Sequence, residues 1–311
     1  MTKIRENEKM KGQLFGDFYV SLPKTSEKMK GLISYTVNVN GTLMDLSEPQ
    51  VMGILNITPD SFYVESRKSE HSMIVERVEQ IIREGASIID VGAYSSRPGA
   101  NDVSISEEME RLRRGLEIIR TISPSAIVSV DTFRADVVRM CVEEYGVAMV
   151  NDISAGCMDD KMFSTVARLG VPYIIMHMQG VPQTMQQDPH YDHLMKEIFI
   201  YFAERIDRLR DLGVKDIILD PGFGFGKTLN HNYELMNSLE AFRSFELPVL
   251  VGVSRKSMIY KLLGGTADDA LNGSTALHTI ALLKGANILR VHDVKACVEV
   301  VAVVREMLQQ T

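Results

Sequence analysis

The 311-residue chain predicts an α/β fold of the TIM (β/α)8 barrel type, preceded by an N-terminal extension and a β-hairpin. Three observations carry that expectation. Short apolar, β-branched runs recur eight times from residue 51 onward. Helical patterns separate them. Glycines stand where several of those helices should stop, as C-cap glycines do. Near-continuous apolar runs suit strands buried on both faces of a parallel sheet. Eight strand–helix repeats match the barrel, whereas a doubly wound sheet usually stops at fewer.

Taken in order, residues 1–33 are charged and aperiodic and read as a variable extension. Their first stretch, MTKIRENEKMKG, has no apolar h-region, so it is not a secretory signal. Residues 34–50 alternate as strands do around Asn40-Gly41, the dipeptide favoured in two-residue hairpin turns, and this hairpin could cap one end of the barrel. The barrel itself is expected over residues 51–311. Its strands are VMGILNI (51–57), SIIDVGA (87–93), AIVSVDT (126–132), AMVNDIS (148–154), PYIIMHM (172–178), DIILDPG (216–222), PVLVGVS (248–254) and NILRVHD (287–293). Ser104 and Glu107 suggest a capping box before a helix with Met109, Leu112, Leu116 and Ile119 on one face. Leu194, Ile198, Phe202, Ile206 and Leu209 form a second stripe, and Gly85, Gly146, Gly170, Gly213 and Gly285 mark helix ends.

Bulk composition narrows the function classes. At 45% hydrophobic and 24% charged residues the chain is ordinary for a globular protein. A formal net charge of −7 argues against nucleic acid as a partner, which needs a basic footprint. No apolar run is long enough to span a membrane, and a cytoplasmic location is expected. Cys141, Cys157 and Cys297 lack metal or redox spacing and read as reduced, packed thiols.

Chemistry is expected at the C-terminal ends of the strands, where barrel active sites lie. Those ends carry Asn56, Thr58 and Asp60; Ser95, Ser96 and Arg97; Asp131; Asn151 and Asp152; His177; Asp220; Arg255 and Lys256; and Arg290, His292 and Asp293. Singly, each has a bland reading as a helix cap, a core histidine or a solvated pair. Jointly they converge on one mouth. Arg255, Lys256, Arg290 and His292 come from the last two strands, the usual phosphate corner, and suit a diphosphate or carboxylate. Asp131, Asn151 and Asp220 are acceptors, and Asp220 could take a flat heterocycle bidentately. There is no Ser-His-Asp order, H-E-x-x-H or close Cys/His cluster.

The stretch LDPGFGFGKT (219–228) ends like a phosphate-binding P-loop but fails its spacing, because Pro221 stands where glycine is needed. Proline also lacks the N–H donor, and Asp220 would oppose a phosphate. Its glycines are expected to let backbone pass close to a flat ligand or another loop.

The ordered motifs MGILNITPDSF, IIDVGAYSSRPGA, SVDTF, VNDISAG, MHMQG, LDPGFGFGKT, VGVSRKSMI and RVHDV closely resemble the dihydropteroate synthase family over residues 51 to about 308. The resemblance implies a TIM barrel that condenses 6-hydroxymethyl-7,8-dihydropterin diphosphate with p-aminobenzoate, giving 7,8-dihydropteroate and diphosphate. It also implies a homodimer and Mg²⁺ as cofactor, placed by Asn56. By similarity, Asp131, Asn151, Met176, Asp220 and Lys256 hold the pterin, while Asn56, Arg97, Arg290 and His292 hold the diphosphate. Phe62, Ser96, Arg97, Pro98, Lys256 and Ser257 shape the p-aminobenzoate site, and Asn56, Asp60, Arg97, Lys256, Arg290 and His292 carry catalysis. The chain departs from the family at YVES (63–66) and at Tyr94, where a glutamate is usual. Two rivals remain at this point: a methyltransferase barrel binding a pterin without diphosphate, and a non-catalytic pterin-binding paralogue.

Overall fold

A computed structural model describes residues 35–57, 67–94 and 103–309, with the side chains of 67–70 left aside. A short antiparallel ribbon opens the described chain, β1 (Thr36–Val39) and β2 (Thr42–Asp45). The turn between them places Asn40 at φ 52° and Gly41 at φ 84°, the paired positive angles of a type I′ hairpin.

Eight parallel strands follow: β3 (Gln50–Asn56), β4 (Ile88–Gly92), β5 (Ile127–Asp131), β6 (Met149–Asp152), β7 (Tyr173–Met176), β8 (Ile217–Asp220), β9 (Leu250–Val251) and β10 (Ile288–Val291). Their order, β8-β7-β6-β5-β4-β3-β10-β9, becomes a ring through a parallel bridge from Leu219 to Val249. All eight strands read from the sequence are present, and the ring rules out a doubly wound sheet. Helices separate them: α1 (Arg67–Arg83), α2 (Ile105–Ile122), α3 (Ala135–Tyr145), α4 (Met162–Leu169), α5 (Leu194–Asp211), α6 (Leu229–Asn237), α7 (Ser257–Leu263), α8 (Leu271–Leu283) and α9 (Val294–Gln309). The five anticipated stop glycines all adopt left-handed backbone, with φ of 91°, 67°, 66°, 85° and 98°. None of the described helices is long and apolar enough to cross a membrane.

One core lies between strands and helices and another inside the barrel's N-terminal end. Val37, Val39 and Leu46 of the hairpin segment pack there against Met52, Ile88, Met149, Ile174, Ile218, Leu250 and Ile288. The hairpin therefore plugs the end opposite the polar strand termini, as its pattern suggested. Two expectations need correction. Ser104 caps α2 by accepting from the Glu107 N–H, but the Glu107 carboxylate pairs with Arg111, one turn along, so the reciprocal half of the capping box does not form. Cys141 and Cys297 are buried thiols, whereas Cys157 is exposed, because it sits on a loop beyond β6.

The ring is weakest at the two-residue β9, and Asn287 reinforces it there. Its N–H donates to Val249 O at 2.8 Å, its Oδ1 accepts from the Val249 N–H at 2.9 Å, and its Nδ2 donates to Leu46 O at 3.2 Å. Asn287→Ala leaves a backbone donor and acceptor at the seam without their partner. We expect a stability loss of about 1–3 kcal/mol, read from the urea midpoint at unchanged slope.

Candidate active site

The site is built on strand register. Asn56 pairs with Gly92, Gly92 with Asp131, and Asp131 with Asn151, so three polar termini reach one level across β3, β5 and β6. Gly92 has a steric reason: a Cβ there would stand 3.3 Å from the Asp131 Cβ. Met176 pairs with Asp220 across β7 and β8.

At the centre lies Arg290. Its Nε donates to Asp90 Oδ2 at 2.6 Å and its Nη2 to Asp131 Oδ2 at 2.7 Å. Asn151 Nδ2 donates to the same Asp90 oxygen at 3.1 Å. Basic and acidic residues therefore interleave: Arg290, read from the sequence as part of the phosphate corner, is held between carboxylates. Burial raises Asp131 to about 7, with the Arg290 charge opposing and the Asp90 carboxylate reinforcing the rise. For Arg290, burial works against the charge, and the Asp90 and Asp131 carboxylates outweigh it, so its pKa rises. Asp90 is the member of this network that sequence reading missed. Its signal was a carboxylate inside the otherwise apolar run SIIDVGA.

Asp220 is 5% exposed and accepts from the Gly222 N–H at 2.8 Å. Burial raises its pKa, with the Lys256 charge the strongest opposing influence. Lys256 donates to Phe223 O, and its Nζ lies 4.7 Å from the centre of the Phe225 ring. Burial lowers Lys256 to about 8. Ser257 follows it as the first residue of α7. Met176, 2% exposed, joins Phe133, Ile153, Met178 and Met185 in an apolar cluster, with Tyr94 and Phe225 packed against it. Tyr94, the departure from the glutamate usual in the family, stands edge-on to Phe133 at 5.0 Å, beneath the Arg134 guanidinium.

Two members of the anticipated basic corner behave differently from expectation. Arg255 is held bidentately by Asp293, at 2.8 and 2.7 Å, and serves to tie the β9 and β10 loops together. His292 is neutral at pH 7, since burial and the neighbouring Arg290 and Arg77 charges lower it to about 4. Its N–H donates to Ser254 Oγ, and its carbonyl accepts from Arg77 at 2.7 Å. The backbone ends of β3 and β10 are joined by that same arginine, which also donates to Ile54 O. Asp152 points away from the mouth, accepting from Ser154, Gly156 and the Tyr173 hydroxyl. Asp60, Phe62, Ser96, Arg97 and Pro98, with 63–66, lie outside the described residues.

The LDPGFGFGKT stretch is not a phosphate cradle. Lys227 is 3% exposed, burial pushes its pKa well below the usual lysine range, and its Nζ lies within hydrogen-bond distance of His177 Nδ1 (2.9 Å), Gly222 O (2.9 Å), Phe225 O (3.1 Å) and His177 O (3.3 Å). Burial and the adjacent lysine charge lower His177 to about 2, so it is a neutral core histidine accepting from Lys227. The glycines let this loop lie against the β7 loop: a Cβ on Gly222 would fall 1.9 Å from His177 O, and one on Gly226 2.6 Å from Gln179 O.

Residues 52–292 match the model of the pterin binding enzyme family. The chain belongs to that family of barrel enzymes. Within it, the chain is 44% identical over 275 residues to the dihydropteroate synthase of Escherichia coli, covering 86% of this chain and 95% of that one. The Haemophilus influenzae dihydropteroate synthase is 41% identical over 259 residues, covering 83% and 93%. Among solved structures, a Yersinia pestis dihydropteroate synthase with a sulfonamide drug superimposes with TM-score 0.79 at 39% identity, covering 88% of this chain and all of that one (100%). A Xanthomonas albilineans dihydropteroate synthase with 4-aminobenzoic acid gives TM-score 0.80 at 36% identity, covering 89% and 99%.

Gly222 combines φ 72° with the closest of these approaches. Gly222→Ala should lose about 1–2 kcal/mol from backbone conformation alone, with the clash added. Thermal melts of the two proteins check this.

Proposed function

We infer that the chain is a transferase of folate biosynthesis, a dihydropteroate synthase condensing 6-hydroxymethyl-7,8-dihydropterin diphosphate with p-aminobenzoate to 7,8-dihydropteroate and diphosphate. The observation that carries this reading is the placing of Arg290 and Lys256 beside the half-buried Asp131 and the buried acceptors Asn151 and Asp220. A pterin-binding methyltransferase would need those acceptors but has little use for the cations, because its substrate lacks diphosphate.

The pterin ring donates from its N–H and amino groups to Asp220 and Asp131, with Asn151 alongside and Met176 against its face. Arg290 and neutral His292 receive the diphosphate, joined by Arg97. Lys256 and Ser257 border the p-aminobenzoate side, with Phe62, Ser96, Arg97 and Pro98 completing it. The arylamine is neutral and nucleophilic at pH 7, so no strong general base is required. The C–O bond between methylene and diphosphate breaks first, its electron pair leaving with the diphosphate. The electron-rich pterin delocalises the positive charge on the methylene. The amine nitrogen then forms the C–N bond and loses a proton. This SN1-like order puts the demand on fixed charges at the leaving group.

Mg²⁺ fits the donor set. The Asn56 amide oxygen is a hard ligand at a strand end, and Mg²⁺ commonly takes one or two protein oxygens with phosphate and water completing its shell. When bound there, it would neutralise charge developing on the diphosphate, with Asn56 holding it and Asp60 close in sequence. The reading extends to a cytoplasmic homodimer without nucleic-acid or membrane partners. Leu262, Leu263, Leu271, Ile280, Leu283 and Val303, exposed on α7, α8 and α9, support the dimer.

The decisive assay is diphosphate release from the two substrates, with and without p-aminobenzoate and with Mg²⁺ chelated in a control. Release that requires both substrates is the expected result; none at all would leave a pterin-binding paralogue. Arg290→Ala should lower turnover by about 10²–10³ at saturating substrate. The pH dependence of kcat/KM for the pterin substrate should be bell-shaped. Below about 7, Asp131 protonates and loses its acceptor role; above about 8, Lys256 sheds its charge. Asp131→Asn should remove the acid limb.

A further inference from the structure

Three buried carboxylates underlie the strand ends, and two of them are fully used in holding the fold. Asp152 accepts from four donors on two oxygens. Glu108 accepts from the Thr132 hydroxyl and Arg134, both at 2.7 Å. Asp90 differs. It is 0% exposed, one oxygen takes both Arg290 and Asn151, and Oδ1 has no partner among the described residues. Ser129 stands opposite it in register on β5, and its Oγ is likewise buried without a partner among those residues. A buried carboxylate oxygen left so calls for a functional account, because burial without a hydrogen bond is costly.

We propose that Asp90 is a positioning residue of the condensation, aiming Arg290 at the departing diphosphate and Asn151 at the pterin through one shared carboxylate oxygen. The proposal rests on the dihydropteroate synthase reading. Arg290 is a long side chain, and a single contact at Nη2 would leave its plane free to turn about the chain. Asp90 fixes the Nε end. Asp131 can then turn its oxygens to an incoming pterin without releasing the guanidinium, whose Nη1 side is left for the diphosphate. Asn151 is held by the same oxygen, so the pterin and its leaving group are registered against one buried atom. Asp90 is two residues deeper in β4 than Gly92, the partner of Asp131, which puts it behind the ligand rather than beside it.

The test is Asp90→Asn in the full chain, assayed by steady-state diphosphate release. The substitution keeps shape and one acceptor but removes the charge. The expected result is a fall of about 10²-fold in kcat/KM for the pterin diphosphate, the scale of a misaimed catalytic group, with KM for p-aminobenzoate within about twofold of wild type. The selectivity for the pterin substrate is the readout that a purely structural role would not give, and the acid limb gives a second. Asp131 faces Arg290 from β10, Asp90 from β4, Asp152 from β6, Glu108 from α2 and Lys256 from the β9 loop. Removing the like charge at 90 lets Asp131 ionise more easily, so the limb moves to lower pH. Wild-type kinetics and an unmoved limb would overturn the proposal, as would equal losses on both substrates. Should Asp90→Asn not fold, Asp90→Glu serves instead. There the carboxylate charge is kept but set one methylene further along, so the same selective loss is expected, and wild-type kinetics would overturn the idea. A wild-type protein that releases no diphosphate would refute the functional reading itself. An active wild type beside an unaffected Asp90→Asn would refute only this inference.

Discussion

The bridge from Arg290 to Asp90 and Asp131 is the constraint on which the mouth of the barrel depends. A guanidinium taken out of water is tolerated only when its donors meet oxygen, and a carboxylate likewise needs a donor. Here a residue of β10 reaches across the interior to β4 and β5, strands on the far side of β3 in the ring. Each charge is costly alone, so the three hold one another in place. Asn151 is recruited through the same oxygen. Asp220 responds to Lys256 and Arg290 as well, so the polar floor behaves as one electrostatic unit rather than as separate contacts.

Around that unit the protein places rigid supports made of its own atoms. Lys227 does for the β7 and β8 loops what Arg77 does for the ends of β3 and β10: a side-chain nitrogen donor satisfies carbonyls that the strands leave behind. Glycines allow the β8 loop to close to contact distance with the β7 loop, and Tyr201 anchors Met176 through its carbonyl at 2.9 Å. The strand ends are thus held independently of any ligand. A site whose first contacts are fixed by a second layer of hydrogen bonds loses little entropy when it binds.

Chemical roles then follow from who is already occupied. Arg255 looks like a phosphate ligand in sequence but is taken by Asp293, and burial with the neighbouring arginine charges lowers His292. On the proposed reading, Arg290 is the charged contact for the diphosphate among the described residues and Lys256 stands on the p-aminobenzoate side, so a divalent ion supplied with the substrate would be chemically apt at the leaving group.

The chain by itself determined the barrel, its eight strands, the helix stops and the hairpin plug, because apolar periodicity and backbone preference are local properties that short windows carry. It also determined which residues reach the strand ends, since register and alternation are written residue by residue. Only the tertiary structure decided how those residues pair. Asp90 was hidden in an apolar run, Lys227 in a false phosphate motif, and Asp293 lies 38 positions from Arg255 and Asp90 200 from Arg290. Hydrogen bonding and charge compensation act over a few ångströms in space and are blind to distance along the chain, so no local pattern could have assigned them.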